Sequence, residues 1–417
     1  MTHKFLRHSS ASAAESPQPF LTSHSISAES KKGSNSPQPT LYFGLVKISI
    51  MLSEQPTAIF VMILFVAISV LFWQLTSVVA MVDSHGAKNP FERIDTHSHF
   101  VPPFYRDESV KYGYGKPDGM PGIPAWTEEA HLEMMRKANI TKSILSITSP
   151  GTHLVPGNDA LARNLTRRCN EFAANLKRRH PDKFGFWASL PLPDVEGSLA
   201  EIDYALNVLN ADGVAILTNA HGVYLGNTVL GPIFEALNKR NATIFIHPTS
   251  PCLQHGGTSQ IVAPLTQYPN PMFEFFFDTA RTVVDMFVSG TIDRSPNVTI
   301  ILSHAGGAIT PLVARFSEFA TSILGLPVKI STESVKKAFR TQFFFDLAGF
   351  VFPDQIHGLL PYVDASHILY GSDYPYTPES GVLGIVEDMN QELPQVFKDL
   401  HSQKAIYKEN AMKILRA

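Results

Sequence analysis

Cysteine is nearly missing from this 417-residue chain: Cys169 and Cys252 are the only two, and no CxxC spacing occurs. A disulfide framework and a cysteine-based zinc ribbon are excluded, and a reducing compartment suits the chain. Charge is scarce as well, at 17% of residues, and its signs nearly cancel. The 34 Lys plus Arg against 37 Asp plus Glu leave a net charge of −3. Without a basic surplus there is no electrostatic footing for nucleic acid or an acidic membrane surface, and small molecules are the expected partners. No GxGxxG or Walker pattern opens a strand-to-helix turn, so the signatures of nucleotide-binding sheets are absent too. What abounds is apolar: 44% of residues, enough for one large core or two ordinary ones.

The first 90 residues are a different material. Residues 1–57 form a leader, rich in Ser, Pro, Ala and Gln over its first 40 positions, that cannot bury enough surface to offset chain entropy and reads as disordered. Residues 58–82, AIFVMILFVAISVLFWQLTSVVAMV, carry no charge. At about 1.5 Å per residue such a helix exceeds a hydrocarbon core of about 30 Å, so the segment is a candidate transmembrane signal anchor. Lys47 before it and Lys88 and Arg93 after it favour a cytoplasmic C-terminal domain. The alternative is that Met81 begins the working protein and the leader is no part of it. Asn139, Asn164, Asn241 and Asn297 stand in Asn-x-Thr triplets, three of them directly before apolar runs, and read as chance occurrences rather than glycosylation sites.

From Arg93 onward eight short apolar runs alternate with stretches of helical periodicity. The runs are 93–99, 143–148, 184–191, 213–219, 243–248, 298–307, 341–349 and 368–375. Helices are expected at 128–139, 159–180, 198–210, 271–295, 309–323 and 396–416, the third opening on a Ser198-x-x-Glu201 capping box. Nearly unbroken hydrophobicity within a run means burial on both faces, as in parallel strands under helices. Eight βα units over residues 91–417 fit an α/β fold of the (β/α)8 TIM-barrel type, whose sites gather at the C-terminal mouth. A doubly wound open sheet is the runner-up.

Metal-ligand residue types stand where strands run out: His97 and His99 on the first, His247 on the fifth, His304 on the sixth and Asp373 on the eighth. Histidines two apart on a strand face one side, so His97 and His99 can address one ion, with Asp95 deeper on that face. A lone His-x-His is weak evidence; three imidazoles and a carboxylate drawn from separate strand ends are not. That donor set suits one divalent ion, Zn²⁺ first and Mn²⁺ or Fe²⁺ after it, with no organic cofactor. His304, followed by Gly306-Gly307, is the candidate acid or base, and Asp373 can both hold metal and exchange a proton.

These segments, Ile94-Asp95-Thr96-His97-Ser98-His99, Phe245-Ile246-His247-Pro248, Leu302 to Gly307 and Tyr370 to Pro375, resemble the amidohydrolase superfamily. Within it the chain is similar to the metal-dependent decarboxylases, that is, the aminocarboxymuconate semialdehyde decarboxylases and, more closely, the fungal 6-methylsalicylate decarboxylases. The resemblance implies His97, His99, His247 and Asp373 as metal ligands and His304 as the catalytic histidine. The fourth run lacks the lysine that binuclear relatives carboxylate, which implies a single metal. Arg315, eleven residues past His304, matches an arginine that in the semialdehyde decarboxylases reaches a neighbouring subunit's substrate, implying a homodimer. Asp278 matches an acidic residue at the head of the helix before strand six and joins Arg315 as a candidate substrate-binding residue.

The loop 101–126 lacks the second carboxylate-binding arginine of those enzymes, which disfavours a dicarboxylate. Its neighbourhood holds Phe100, Phe104, Tyr105, Tyr112, Tyr114 and Trp126, which suits a small aromatic monocarboxylic acid, and Arg106 aligns with nothing. The activity implied is non-oxidative decarboxylation of an ortho-hydroxy aromatic acid, 6-methylsalicylate foremost. Its rivals are lactone or amide hydrolysis and a catalytically inactive, membrane-tethered binding protein.

Overall fold

The computed structural model describes residues 91–255, 258–261, 267–327 and 330–415. The expected disordered leader, 1–57, and the apolar segment, 58–82, lie outside the described residues. Among the described residues no helix is long and apolar enough to cross a membrane.

Every apolar run overlaps a strand, the second beginning three residues earlier than its run: β1 Arg93–His99, β2 Ile140–Ser146, β3 Phe184–Ser189, β4 Gly213–Leu217, β5 Thr243–His247, β6 Thr299–Leu302, β7 Phe343–Asp346 and β8 Ile368–Leu369. Consecutive strands pair in parallel from β1 to β8. The ring closes where Asp95 bridges Tyr370 and the Thr96 N–H donates to the Tyr370 carbonyl oxygen at 3.0 Å. The expected (β/α)8 barrel is the fold.

Its interior is packed solid below the mouth. Ile94, Ile144, Trp187, Ala215, Phe245, Ile301 and Leu369, one from each of seven strands, form a buried cluster that Ala411 and Ile414 extend. Trp187 also donates its indole N–H to the Thr96 carbonyl oxygen at 2.9 Å, tying this plug to β1. The larger apolar cluster lies between strands and helices, which is why β1, β3 and β5 are buried along their whole length. Closure needs Gly371: a Cβ there would stand 2.7 Å from His97 Cβ, so a side chain would push β8 off β1.

The helices around the barrel include α1 Pro103–Lys111, α2 Glu128–Lys137, α3 Asp159–Arg179, α4 Val195–Asn207, α5 Gly231–Asn238, α6 Glu274–Val288, α7 Val313–Glu318, α8 Thr332–Phe339 and α9 Glu379–Val396. The capping box expected at Ser198 is corrected. Helix α4 begins a turn earlier, capped by Asp194, whose side chain accepts the Gly197 N–H at 3.1 Å. Ser198 is buried inside the helix, and Glu201 turns away to Arg167 and Asn170. Asp caps as well as Ser does, and Pro193 before it leaves α4 a natural start. The helix expected over 309–323 is α7 alone, entered through a 3₁₀ turn at Pro311 and leaving in a wide π turn, Phe319–Ile323. The stretch 396–416 divides likewise into Leu400–Lys404, a π turn and Asn410–Ile414.

Truncating the plug tests this account. Trp187→Ala is expected to cost about 3–5 kcal/mol of folding stability, read from the urea midpoint. A loss below about 1 kcal/mol would mean that the interior refills itself.

Candidate metal centre

β1 presents His97 and His99 on one side, both fully buried, with their Nε2 atoms 3.2 Å apart. β5 ends in His247, whose ring centroid lies 5.1 Å from that of His97 and 4.9 Å from that of His99. Asp373 follows β8 in a turn, its Oδ1 3.0 Å from His99 Nε2 and 3.4 Å from His97 Nε2. One donor atom from each of the four residues lies within 4.8 Å of the others. Ligand bonds of about 2.0–2.2 Å set neighbouring donors about 3–4 Å apart, so the group fits one divalent cation.

Each ligand is held from behind. His97 Nδ1 meets Asp346 Oδ2 at 3.0 Å, and the other Asp346 oxygen accepts the N–H groups of His304 and Ala348 at 3.1 and 3.0 Å. His99 Nδ1 lies 3.0 Å from the Ser146 hydroxyl, and His247 Nδ1 donates to the Pro248 carbonyl oxygen at 2.7 Å. The second contact leaves His247 Nε2 as the ligand atom. Such carboxylate–histidine pairs orient a ring and raise its basicity toward a metal.

The electrostatics call for a cation. Burial disfavours the imidazolium of His97, but Asp346 and Asp373 outweigh it and lift His97 to about 10. Burial also opposes ionisation of Asp373, yet hydrogen bonds from His304, His97 and His99 hold its carboxyl well below the usual range. Burial dominates at His99 and His247 and lowers both. Two carboxylates, Asp346 and Asp373, thus draw positive charge into a closed space, where without a metal the His97 imidazole itself carries it and a bound cation would answer both.

His304 stands at the edge of this group. It follows β6 in a turn with φ +54°, its Nε2 is 3.9 Å from Asp373 Oδ2, and its ring centroid is 4.8 Å from that of His97. Its side chain is 12% exposed and that of Asp373 20%, so both reach water while the other three ligands do not. Asp95 lies under the cluster and accepts from Ser372 N–H at 3.0 Å and Ser372 hydroxyl at 2.6 Å.

The two remaining candidates are not among the four residues that converge. Asp278 is fully buried on α6 and accepts from the Thr218 hydroxyl, from Asn219 Nδ2 at 3.1 Å and from the Tyr224 hydroxyl at 2.6 Å. It fastens the loop after β4, and no substrate-facing bond is among these. Arg315 is exposed on α7 with its guanidinium 4.8 Å over the Phe319 ring. Of the aromatic residues expected near the substrate, Phe100, Phe104 and Trp126 instead pack on Phe172, and Tyr105 donates to the Gly151 carbonyl oxygen. Arg106 is spent on the carbonyl oxygens of Ile123 and Pro124. Asp346 is the residue that sequence reasoning passed over. It ends the apolar run of β7, the same strand-end signal that marked His247.

A (β/α)8 barrel with such a cluster at its mouth is the architecture of a metal-dependent enzyme. The chain belongs to the amidohydrolase family, whose profile matches residues 94–417. It is 36% identical over 333 residues to the decarboxylase YanB of Aspergillus niger, covering 78% of this chain and 87% of the relative. It is 37% identical over 312 residues to a 6-methylsalicylic acid decarboxylase of Penicillium expansum, covering 73% and 92%. Among solved structures, a manganese complex of 5-carboxyvanillate decarboxylase from Novosphingobium aromaticivorans superimposes with a TM-score of 0.67. It covers 80% of this chain and 98% of that one, and at 21% identity the likeness is one of fold.

Asp346→Asn is expected to weaken metal affinity 10–100-fold with the barrel intact, read by competition with a chelating dye and by circular dichroism. Unchanged affinity would mean that Asp346 does not set the basicity of His97.

Proposed function

We propose that the chain is a metal-dependent carboxy-lyase that removes CO₂ from an ortho-hydroxy aromatic acid, with 6-methylsalicylate converted to 3-methylphenol. The observation that carries this reading is the convergence of His97, His99, His247 and Asp373, with His304 beside the ligand carboxylate. Relatives named as 6-methylsalicylic acid decarboxylases at 35–37% identity support the substrate class.

His97, His99, His247 and Asp373 would hold one divalent ion, Zn²⁺ by its preference for nitrogen donors, with Mn²⁺ the alternative that a neighbour of the same fold contains. When bound, that ion supplies Lewis acidity to the phenol and carboxylate oxygens of the substrate. Direct loss of CO₂ would leave an unsupported aryl carbanion, so the ring carbon bearing the carboxylate must take a proton first. We assign its delivery to the pair His304 and Asp373, a reading supported by their facing atoms 3.9 Å apart and by side chains that both reach water for resupply. Once that carbon is protonated, the bond to the carboxylate carbon breaks, its electron pair restores the aromatic ring, and CO₂ departs. One proton is consumed and no redox cofactor is needed.

Two finer assignments belong to the same proposal. The barrel is cytoplasmic, tethered to a membrane where the segment 58–82 is retained. The enzyme is a homodimer in which Arg315 serves the neighbouring copy's substrate carboxylate. Its support is the exposure of Arg315 among the exposed apolar residues Leu312, Phe319, Ile323 and Leu324.

Purified protein supplied with 6-methylsalicylate should release CO₂ and 3-methylphenol in equal amounts, lose the activity to a chelator, and regain it with Zn²⁺ or Mn²⁺. The His304→Ala variant should fall by at least about 100-fold in kcat. Turnover of lactones or amides in place of the acid would end the decarboxylase reading. For the dimer, Arg315→Ala and His304→Ala chains that are inactive apart should recover activity when mixed and refolded together; no recovery removes Arg315 from the neighbouring site.

A further inference from the structure

Beside the metal cluster lies a cavity of about 390 Å³, walled by the loops after β2, β3, β4 and β5 and by the turn at residues 113–119. None of the four ligands lines it, but Thr249 and Ser250, two and three residues past His247, do, as does Ile147, whose neighbour Thr148 lies 3.3 Å from the His247 ring. A cavity of about 150 Å³ accepts one benzene, so this one offers more space than a single methylated ring fills. Its broad faces are apolar, from Ile147, Leu190 and Leu217, as a flat ring requires.

One carboxylate stands in that wall. Asp118 lines the cavity, and its Oδ1 accepts the Ser250 hydroxyl at 2.5 Å; Asn270 Nδ2 in turn donates to that hydroxyl at 2.7 Å. Burial lifts the Asp118 carboxyl above its ordinary range, against the pull of Ser250 and Ser149. Among the described residues no arginine lines this cavity, the one lysine, Lys116, is exposed at the rim, and the two histidines, His153 and His221, meet each other at 3.1 Å with His153 also on Asp159. A half-buried carboxylate with no arginine or lysine beside it gains from a further hydrogen-bond donor and rejects a second anion.

Placement agrees. Ser250 is three residues past the ligand His247, and three residues of chain span at most about 10 Å. An aromatic acid held by its carboxylate at the metal and lying in this cavity would point its far edge toward Asp118. The backbone of Asp118 has φ +54°, the left-handed conformation that aspartate adopts more readily than most residues in a turn.

We propose that Asp118 is a specificity-determining residue that accepts a hydrogen bond from a hydroxyl on the ring edge opposite the metal-held carboxylate. The site then selects hydroxylated aromatic monocarboxylic acids over acids with a second carboxylate. This rests on the decarboxylase reading for the orientation of the ring.

The test uses the metal-loaded full chain and three probes: 6-methylsalicylate, 2,4-dihydroxy-6-methylbenzoate and 2-hydroxyterephthalate. Dissociation constants are measured beside kcat and KM for wild type, Asp118→Asn and Ser250→Ala. In wild type the dihydroxy acid is expected to bind at least fivefold more tightly than 6-methylsalicylate, and the dicarboxylate more weakly than either. In Asp118→Asn the preference for the dihydroxy acid should fall about tenfold, through KM and Kd rather than kcat, while the penalty on the dicarboxylate shrinks. Ser250→Ala, which removes the pin but keeps the carboxylate, should retain the wild-type order. Equal effects of Asp118→Asn on all three acids, or the same outcome in Ser250→Ala, would reduce Asp118 to a loop fastener and overturn the inference. Wild type that releases CO₂ from no probe but shows the expected order of dissociation constants would sink the decarboxylase reading and leave the inference standing.

Discussion

The structure turns on one buried carboxylate. Asp95 sits in β1 with no exposed surface, and its oxygens accept the Ser372 N–H, the Ser372 hydroxyl and the His97 N–H. Burial is the largest influence on it and lifts it to about 7 against those hydrogen bonds. A buried acid is tolerated only where its lone pairs are satisfied, so these contacts are obligatory wherever the barrel is closed. Ser372 directly precedes Asp373, and Asp95 stands two residues before His97. The bonds that seal the last strand to the first therefore also bring the carboxylate ligand to the two histidine ligands. Closure of the cylinder and assembly of the metal centre are a single event.

A similar economy governs charge around His97. Asp346 grips its Nδ1 from β7 while the same carboxylate takes the backbone N–H of His304. One side chain orients a ligand on one strand and the candidate proton-transfer residue on another. The buried faces of the centre, His97, His99, His247 and Asp346, are rigid and dry; the open face, His304 and Asp373, is wet. Asp373 would thereby join metal binding to proton exchange, between a dry wall that strengthens electrostatics and a wet wall that renews protons.

Much of this is legible in the sequence, for a definite reason. Barrel strands are buried on both faces, so each announces itself as an unbroken apolar run, and a polar residue at its end has few reasons to be there other than the mouth. That logic marks His97, His99, His247 and Asp373 without coordinates. Asp346 obeys it too but ends a run with no histidine near it in sequence, and its partner is 249 residues away. The start of α4 is illegible for the opposite reason: Asp194 and Ser198 are both competent caps four residues apart, and only packing on α3, where Glu201 finds Arg167 and Asn170, selects between them. Aromatic residues of the first loop mislead because periodicity does not say which neighbour fills the space beside them. Phe172, on α3, takes Phe100, Phe104 and Trp126, so of that group the cavity keeps Tyr114, beside aliphatic and polar side chains.

Backbone conformation separates floor from mouth. Among the described residues, the non-glycine positions with positive φ are three asparagines together with Asp118, His221, His304, Ala305 and Asp373; Asn, Asp and His enter that region more readily than most residues, and Ala305 is the costly one. His304, Ala305 and Asp373 belong to the metal centre's rim, and Asp118 and His221 line the adjoining cavity. Strained residues persist only where rigid surroundings over-determine them, and a plug with one side chain from each of seven strands, joined to β1 through Trp187, is such a surrounding. The same stiffness explains why β8 can be two residues long: Asp373 takes its aim from hydrogen bonds to β1, with its N–H 2.8 Å from the His97 carbonyl oxygen, and not from a strand of its own. The mouth can then vary its loops, as the side chamber with Asp118 does, without moving the ligands that β1 and β5 hold.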